Sequence, residues 1–347
     1  MTTTFTLPPD AEATEPPEWR GLRRDEVRLL AVRATGVTST RFHALPGLLE
    51  PGDLVVVNTS PTLPGRLPAR RADDVVVPLH WSTTLDDGSW VVEVRRPDNS
   101  GPDLGVEPGS VLALPDDVRI TLIIAYPDAG RPSRLWVARI DPPVPTIGYL
   151  RAHGRPIGYG YLRDDFPLTD FQTTYAREPG DSGPGSAEMA SAGRPFTAEL
   201  LVALMARGVP VVPLTLHTGV SSPELHEPPY PERFAVPEVT ARLVTGTRKA
   251  GHRVVAVGTT VTRALETATG EDCVTRAAHG WTDLVLGPDR PARAVTGLVT
   301  GLHAPEASHL QLLEAVAGAE LVDRAYRAAV AGRYLWHEFG DSMLFLP

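Results

Sequence analysis

Two histidines each close an apolar run: His217 in Pro213-Leu-Thr-Leu-His-Thr-Gly219 and His303 in Val299-Thr-Gly-Leu-His-Ala-Pro305. Each is followed within two residues by Gly or Pro, so each reads as a strand end entering a turn. Neutral imidazoles at two such ends can share a cleft, hold a ribose hydroxyl, or move a proton near neutral pH. A lone histidine at a strand end also serves as a plain hydrogen-bonding residue, and that reading stays open for both. Neither is accompanied by a second histidine or acid at metal-ligand spacing, and the single cysteine, Cys273, excludes a cysteine cluster, so no metal is expected. A third segment, Arg253-Val-Val-Ala-Val-Gly-Thr-Thr-Val-Thr-Arg-Ala-Leu-Glu266, reads as strand, turn and helix. Gly258 permits the turn, Thr259 or Thr260 can cap the helix, and free N–H groups there would face an anionic or polar ligand. Arg263 and Glu266, three apart, share a helical face, so this segment reads equally as a capped helix with an ion pair. Asp341 lies in a Gly-Asp turn before the last apolar run. Asn58, Arg66, Gln172 and Tyr175 are polar residues near strand or loop ends.

The elements that must position these residues change character along the chain. A strand over Glu26–Val32 and a turn feeding a buried strand at Pro51–Asn58 are followed by short strands only. These are Val75–Trp81, Trp90–Val94, Val111–Leu114, Ile120–Tyr126 and Leu135–Ile140, separated by Asp, Gly, Pro and Asn clusters. That texture predicts a small antiparallel barrel or sandwich over 66–145, inserted into an α/β main domain of residues 1–65 and 146–347 with a mixed sheet. In the main domain, helices are expected over Thr146–His153, Thr197–Arg207, Val236–Lys249, Thr262–Thr269, Ala307–Ala317 and Glu320–Ala331, with strands at Val209–His217 and Arg253–Val257. Residues 1–20, rich in Pro, Glu and Thr, are expected to lie loosely on the surface. Gly180–Ser186 reads as a flexible loop.

At 347 residues the chain suits two domains. It has no apolar run long enough to span a membrane and no signal-peptide pattern, so a soluble cytoplasmic protein is expected. A monomer is the simplest oligomeric state. The net charge of −9 disfavours a nucleic-acid partner unless a basic patch is local. Lys249, the single lysine, lies outside any Gly-rich loop, which argues against a P-loop nucleotidase.

Taken in order, the three segments and the closing Phe339-Gly-Asp-Ser-Met-Leu-Phe345 resemble the S-adenosylmethionine:tRNA ribosyltransferase-isomerase family of queuosine biosynthesis. The family's strings are Val-Gly-Thr-Thr-x-x-Arg-x-Leu-Glu, Asn-x-Thr-Arg-Val-x-Pro-Ala-Arg-Leu, Tyr-Gln-Thr-Val-Tyr and Tyr-Gly-Asp-Ala-Met. They match here through Gly258–Glu266, Asn58 with Arg66, Gln172 with Tyr175, and Asp341. The resemblance implies S-adenosylmethionine as co-substrate, without a metal. Its ribosyl group passes to an aminomethyl-deazaguanine base in tRNA and is rearranged to an epoxycyclopentanediol. It also implies His217, His303, Glu266 and Asp341 as candidate catalytic groups, with Asn58, Arg66, Gln172, Tyr175, Ser191, Thr259, Thr260 and Arg263 binding substrate.

The pattern breaks at several loops. The family loop Gly-Ser-Val-Ala-Ala-Pro-Thr-Ala-Gly-Leu-His-Phe-Thr reads Gly185-Ser-Ala-Glu-Met-Ala-Ser-Ala-Gly-Arg-Pro-Phe-Thr197. Its histidine is therefore Pro195, and its threonine survives as the hydroxyl of Ser191. The arginine after Asn-x-Thr is Pro61, which removes a bidentate anion contact. A Met-His-Ser-Glu string is Pro229-Tyr-Pro-Glu232, keeping only the acid. These changes imply a diverged member and leave three readings: the family reaction on tRNA, a related enzyme with a small-molecule acceptor, or a non-catalytic ligand- or RNA-binding relative.

Overall fold

The computed structural model describes residues 5–128, 133–178, 184–220, 229–305 and 307–347. Its strands, in chain order, are β1 (Arg28–Arg33), β2 (Gly36–Arg41), β3 (Leu54–Asn58), β4 (Arg66–Arg70), β5 (Val76–Thr84), β6 (Trp90–Val94), β7 (Val111–Ala113), β8 (Arg119–Tyr126), β9 (Leu135–Asp141), β10 (Val211–His217), β11 (Glu232–Val236), β12 (Val254–Val257), β13 (Ala278–Thr282), β14 (Gly297–Gly301) and β15 (Ser342–Leu346). The helices are α1 (Leu45–Leu48), α2 (Thr146–His153), α3 (Ala198–Ala206), α4 (Glu238–Lys249), α5 (Thr259–Thr267), α6 (Ser308–Ala317) and α7 (Ala319–Ala331).

Continuous Val-rich runs make strands buried on both faces. In β3, Leu54 and Val56 point into one core with Val254 and Ala256, while Val55 and Val57 point into another with Val255 and Val257. Apolar faces of α4 to α7 cover the first core; α1 and α3 cover the second. The result is a nine-stranded mixed sheet in the order β13-β11-β10-β3-β12-β14-β15-β1-β2. Strands β10, β3, β12 and β14 run parallel, so Asn58, His217, Val257 and Gly301 all finish at one end. Antiparallel pairing sets Gly301 opposite Ser342, and β15 lies parallel to β1, which brings Asp341 to the same end.

Between β3 and α2 the chain forms a separate six-stranded antiparallel sheet, β4-β5-β6-β9-β8-β7, whose outer strands meet where Arg70 pairs with Ala113. Among the described residues no helix interrupts it. Its core is Leu67, Leu79, Trp81, Trp90, Val92, Ile120, Leu122 and Trp136, and it takes in Ile147, Tyr149 and Leu150 of α2. Trp90 donates to the Thr146 hydroxyl at 3.0 Å, fixing that helix against the sheet.

Three expectations need correction. The described part of the N-terminal segment is not loose: Ala11 and Ala13 are buried, Trp336 N–H donates to Ala11 O at 2.7 Å, and the Phe5 ring packs 4.7 Å from Tyr326. Within Gly180–Ser186, residues 180–183 lie outside the described residues. Gly185 and Ser186 are buried, and Ser186 N–H donates to Pro61 O at 2.9 Å. The helix at the Gly258 turn starts at Thr259, with Gly258 as its N-cap and no side-chain cap from either threonine.

Candidate functional site

The parallel strand ends collect the polar groups. Asn58, buried at the end of β3, is locked by its own amide: Nδ2 donates to Leu216 O at 2.8 Å, and Oδ1 accepts from Leu216 N at 3.0 Å and from Ser60 N at 3.0 Å. This clamp ties β3 to β10 and aims Ser60. The Ser60 Oγ lies 2.7 Å from His217 Nδ1 and 2.6 Å from the Ser186 Oγ, which in turn accepts from Thr218 N at 3.0 Å. Burial, reinforced by the Arg233 charge, pushes His217 down to about 4, so its ring is neutral at pH 7. Among the described residues His217 Nε2 has no hydrogen-bond partner. Ser60 and Ser186 are functional candidates that sequence reasoning missed; the sequence signal was the Gly-Ser pair retained from the family loop.

Next to this cluster, Gly258 takes φ 93°, a left-handed conformation that favours glycine, and α5 begins with Thr259 and Thr260. A β-carbon on Gly258 would stand 3.4 Å from Ala192 Cβ, so the turn holds the Ser191–Gly193 segment against the start of α5. Thr260 Oγ1 is 3.4 Å from Asn58 Nδ2, which joins the two strand ends. Arg263 and Glu266 do not pair with each other. Arg263, buried, donates to Leu284 O, Tyr230 O and Thr282 O at 3.1 Å each and to the Glu232 carboxylate. The Glu266 carboxylate accepts the backbone N–H of Arg293, Ala294 and Val295 at 2.8–3.0 Å. Both are thus committed to holding backbone. Glu232 sits at the mouth of β10, accepts from Gly219 N at 3.3 Å, and is pushed up by burial against the opposing pull of Arg263. It is the acid retained from the broken family string.

His303 is placed differently. Its Nε2 is 2.9 Å from Thr300 Oγ1, its N–H donates to the Tyr326 hydroxyl at 3.1 Å, and its carbonyl accepts from Trp336 Nε1 at 3.1 Å. The ring stacks on His309 with centroids 4.5 Å apart and planes 5° off parallel. A spacing of six residues is neither helical nor strand-adjacent and gave no hint of this pair. Burial first, then the nearby His309 and His337, hold His303 well below the ordinary range. Asp341 is spent on Arg28: its carboxylate accepts from Arg28 N at 2.8 Å and Nε at 2.9 Å, and from Leu335 N at 2.8 Å.

The remaining expected residues lie on the flank. Gln172 clasps the backbone of Thr62, accepting its N–H at 3.1 Å and donating to its carbonyl at 2.7 Å. Arg66, on β4, pairs with Asp165 at 2.6 Å. Tyr175 packs edge-on against Phe196 at 5.8 Å, with its hydroxyl against Gly193. Ser191 shares a cavity with Arg24, Arg194, Gly301, His337 and Glu338. Beyond it an aromatic row of Tyr159, Tyr161 and His337 has ring centroids at 6.2 and 4.3 Å; Tyr159 donates to Glu188 and Tyr161 to Glu338. Asn58, His217, Thr259 and Thr260 therefore stand at one end of the sheet, Asn58 reaching Thr260 and the Ser60 clamp reaching His217, while Ser191 lines the neighbouring cavity and His303 is held in contacts of its own. Arg263, Glu266, Gln172 and Asp341 hold the frame, while Arg66 and Tyr175 stand outside. Among the described residues no group of three or more His, Cys, Asp or Glu is arranged to hold a metal ion. No helix of the described residues is long and apolar enough to cross a membrane.

A family model described as "Queuosine biosynthesis protein" matches residues 2–345. The S-adenosylmethionine:tRNA ribosyltransferase-isomerase of Symbiobacterium thermophilum is 35% identical, with 99% of this chain and 98% of that protein covered. The protein of the same name from Thermotoga maritima is 33% identical at the same coverage. The crystal structure of the S-adenosylmethionine tRNA ribosyltransferase from Thermotoga maritima aligns over 99% of both chains, with a TM-score of 0.53 and 29% identity.

Proposed function

Because this chain belongs to the queuosine biosynthesis protein family, we propose that it transfers and isomerises the ribosyl group of S-adenosylmethionine. The observation that carries this reading is the cluster of Asn58, Ser60, Ser186, His217 and Glu232 beside the N-terminus of α5. In this reading Ser186 Oγ, which accepts from Thr218 N, gives its own proton to Ser60, and Ser60 gives its proton to His217 Nδ1. The remaining imidazole proton then sits on Nε2 and points a neutral donor into the opening, where it holds a ribose oxygen as negative charge develops there. The sulfonium acidifies the neighbouring ribose carbon, and Glu232, made more basic by burial, takes that proton. Thr259, Thr260 and the free N–H groups of α5 bind the ribose hydroxyls, and Arg263 keeps Glu232 in place. The reading uses no metal. It takes residues 66–145 as an inserted barrel-like domain on a catalytic domain of 1–65 and 146–347, in a cytoplasmic monomer.

A second reading concerns the acceptor. Pro61 and Pro195, both buried, offer no side-chain donor where the family strings have Arg and His. The arginines nearby are paired: Arg66 and Arg155 with Asp165, Arg24 and Arg194 with Glu18, Arg233 with Asp86. A protein of net charge −9 whose nearby arginines are engaged with carboxylates favours an acceptor smaller than tRNA. One experiment tests both readings. The protein is incubated with S-adenosylmethionine, with and without tRNA carrying the aminomethyl-deazaguanine, and products are weighed by mass spectrometry. Adenine release supports the ribosyl transfer and its absence sinks it; efficient formation of the epoxycyclopentanediol nucleoside removes the second reading. Activity is expected to be unchanged by chelators.

A further inference from the structure

The cavity beside Gly301 has a charge pattern that the cluster around His217 does not use. It is narrow, with room for about one water molecule (about 10 Å³), so a ligand must part its walls to enter. On one wall stand Arg24 and Arg194, two guanidinium groups bridged by a single carboxylate: Glu18 lies 3.2 Å from Arg24 Nε and 2.9 Å from Arg194 Nη2. That wall therefore carries one net positive charge. Arg194 is only 2% exposed, is held by Asp170 O at 2.8 Å, and its guanidinium lies 5.0 Å from the Phe339 ring centroid. Another wall carries Glu338, which accepts the Tyr161 hydroxyl and forms no ion pair among the described residues. His337, just before it, is held at φ 71°, a strained conformation for a residue with a β-carbon. The other acid of the cavity, Asp341, is neutralised by Arg28 at 2.8 Å. The Ser191 hydroxyl lies on the same cavity.

A seat with one net cation and one net anion on separate walls matches an α-amino-acid zwitterion. We propose that this cavity binds the amino-acid end of the donor, with Arg24 and Arg194 facing its carboxylate and Glu338 facing its ammonium group. The inference rests on the ribosyl-transfer reading and assigns it a subsite. It also gives a purpose to Arg194, which stands where the family string has an apolar leucine. Guanidinium groups pre-oriented by Glu18 lose little freedom on meeting a carboxylate. Gly301 ends β14, so the seat lies at the same sheet end as Thr259 and His217, where the ribose is placed.

The test uses equilibrium binding of three probes: S-adenosylmethionine, its decarboxylated form and 5′-methylthioadenosine. They are titrated into the full chain and into Arg24→Gln and Glu338→Gln, both at partly exposed positions. The native protein is expected to prefer S-adenosylmethionine to the decarboxylated form by about tenfold or more. Arg24→Gln is expected to erase most of that preference. Glu338→Gln should weaken both amine-bearing probes by a similar factor and leave methylthioadenosine, which lacks the amino-acid group, unchanged. Normal methylthioadenosine binding with unaltered discrimination in both variants would overturn the seat while leaving the ribosyl-transfer reading intact. Failure of the folded native protein to bind any probe would overturn both.

Discussion

His217 and His303 look alike in the sequence and differ in the structure. His217 ends β10 and His303 lies two residues past the end of β14, both in the parallel set, and both are held below the ordinary histidine range by burial. His217 has one ring nitrogen tied to a serine relay and the other without a partner among the described residues. His303 is gripped by Thr300, by Tyr326 and Trp336 through its backbone, and by a stacked His309. A strand end supplies only a place. The loops arriving from elsewhere decide whether the side chain there is presented or consumed.

The comparison breaks most sharply at the acid beside His217. Glu232→Gln is expected to lower turnover by about 10²–10⁴-fold, the usual worth of a positioned general base. Arg263 keeps its three carbonyl acceptors in that variant, so the fold should hold and S-adenosylmethionine binding change little. Turnover within a few-fold of the native value would remove Glu232 from the chemistry.

The two histidines themselves come next. His217→Ala should cost about 10²–10³-fold in turnover, as for loss of one donor to developing charge, with the melting temperature nearly unmoved. His303→Ala should do the reverse. It leaves the buried Thr300 hydroxyl unpaired, so stability should fall by about 1–3 kcal/mol while turnover per folded molecule persists. Paired melting curves and single-turnover assays read both. If the two effects were exchanged, the contrast between presented and consumed histidine would be wrong.

A smaller effect isolates the relay. Ser60→Ala removes the group that fixes the His217 tautomer, and a neutral hydrogen bond is worth about 0.5–1.5 kcal/mol, so turnover should drop by roughly two- to tenfold. A loss as large as that of His217→Ala would mean that the serine itself reacts.

Acid sensitivity sharpens what the histidines share. His217 and His309 are held at about 4, and His303 well below its ordinary value, against 6.5 for a free histidine. Between those values the unfolded chain binds protons that the folded protein refuses. Stability should therefore be full above about pH 6.5 and fall as the pH drops towards about 4. Denaturant titrations at several pH values measure this. The slope should flatten in His303→Ala and remain if the carboxylates, not the histidines, govern acid unfolding.

Much of the frame was legible because burial on two faces writes itself into composition. The Val-rich β3 and β12, the helix at Thr146–His153 and strands β5 to β9 of the second sheet stand close to their expected places. Strands β2, β4, β11 and β13 escaped. Gly36-Val-Thr-Ser-Thr-Arg41 lies at a sheet edge with no buried residue, and Ala278-His-Gly-Trp-Thr282 carries few apolar residues. Their pairing comes from neighbours rather than from their own pattern. In the site, strand ends were readable, and the contacts between distant loops were not. Tyr161 meets Glu338 across 177 residues, and Ser60 meets Ser186 across 126. No local period records such meetings. The Arg263–Glu266 spacing suggested a pair that the structure replaces with two separate anchors, because each found better partners in a folded loop.

The six-stranded sheet leaves and rejoins the rest of the molecule at a single doorway. Arg66 N–H donates to Arg155 O at 2.8 Å, and Arg155 N–H donates back to Arg66 O at 2.9 Å, so the outgoing and returning chains are zipped side by side. Holding the two ends together costs entropy that grows only slowly with the length between them, about 0.6 kcal/mol per doubling. The chain passes this doorway once in each direction, but the module is also moored beyond it: Ser82 accepts from Val220 N at 3.0 Å, and Asp86 takes Arg233 and Trp281. An exchange of the module would therefore be felt at the strands beside His217, whereas changes confined to its far turns would not reach them.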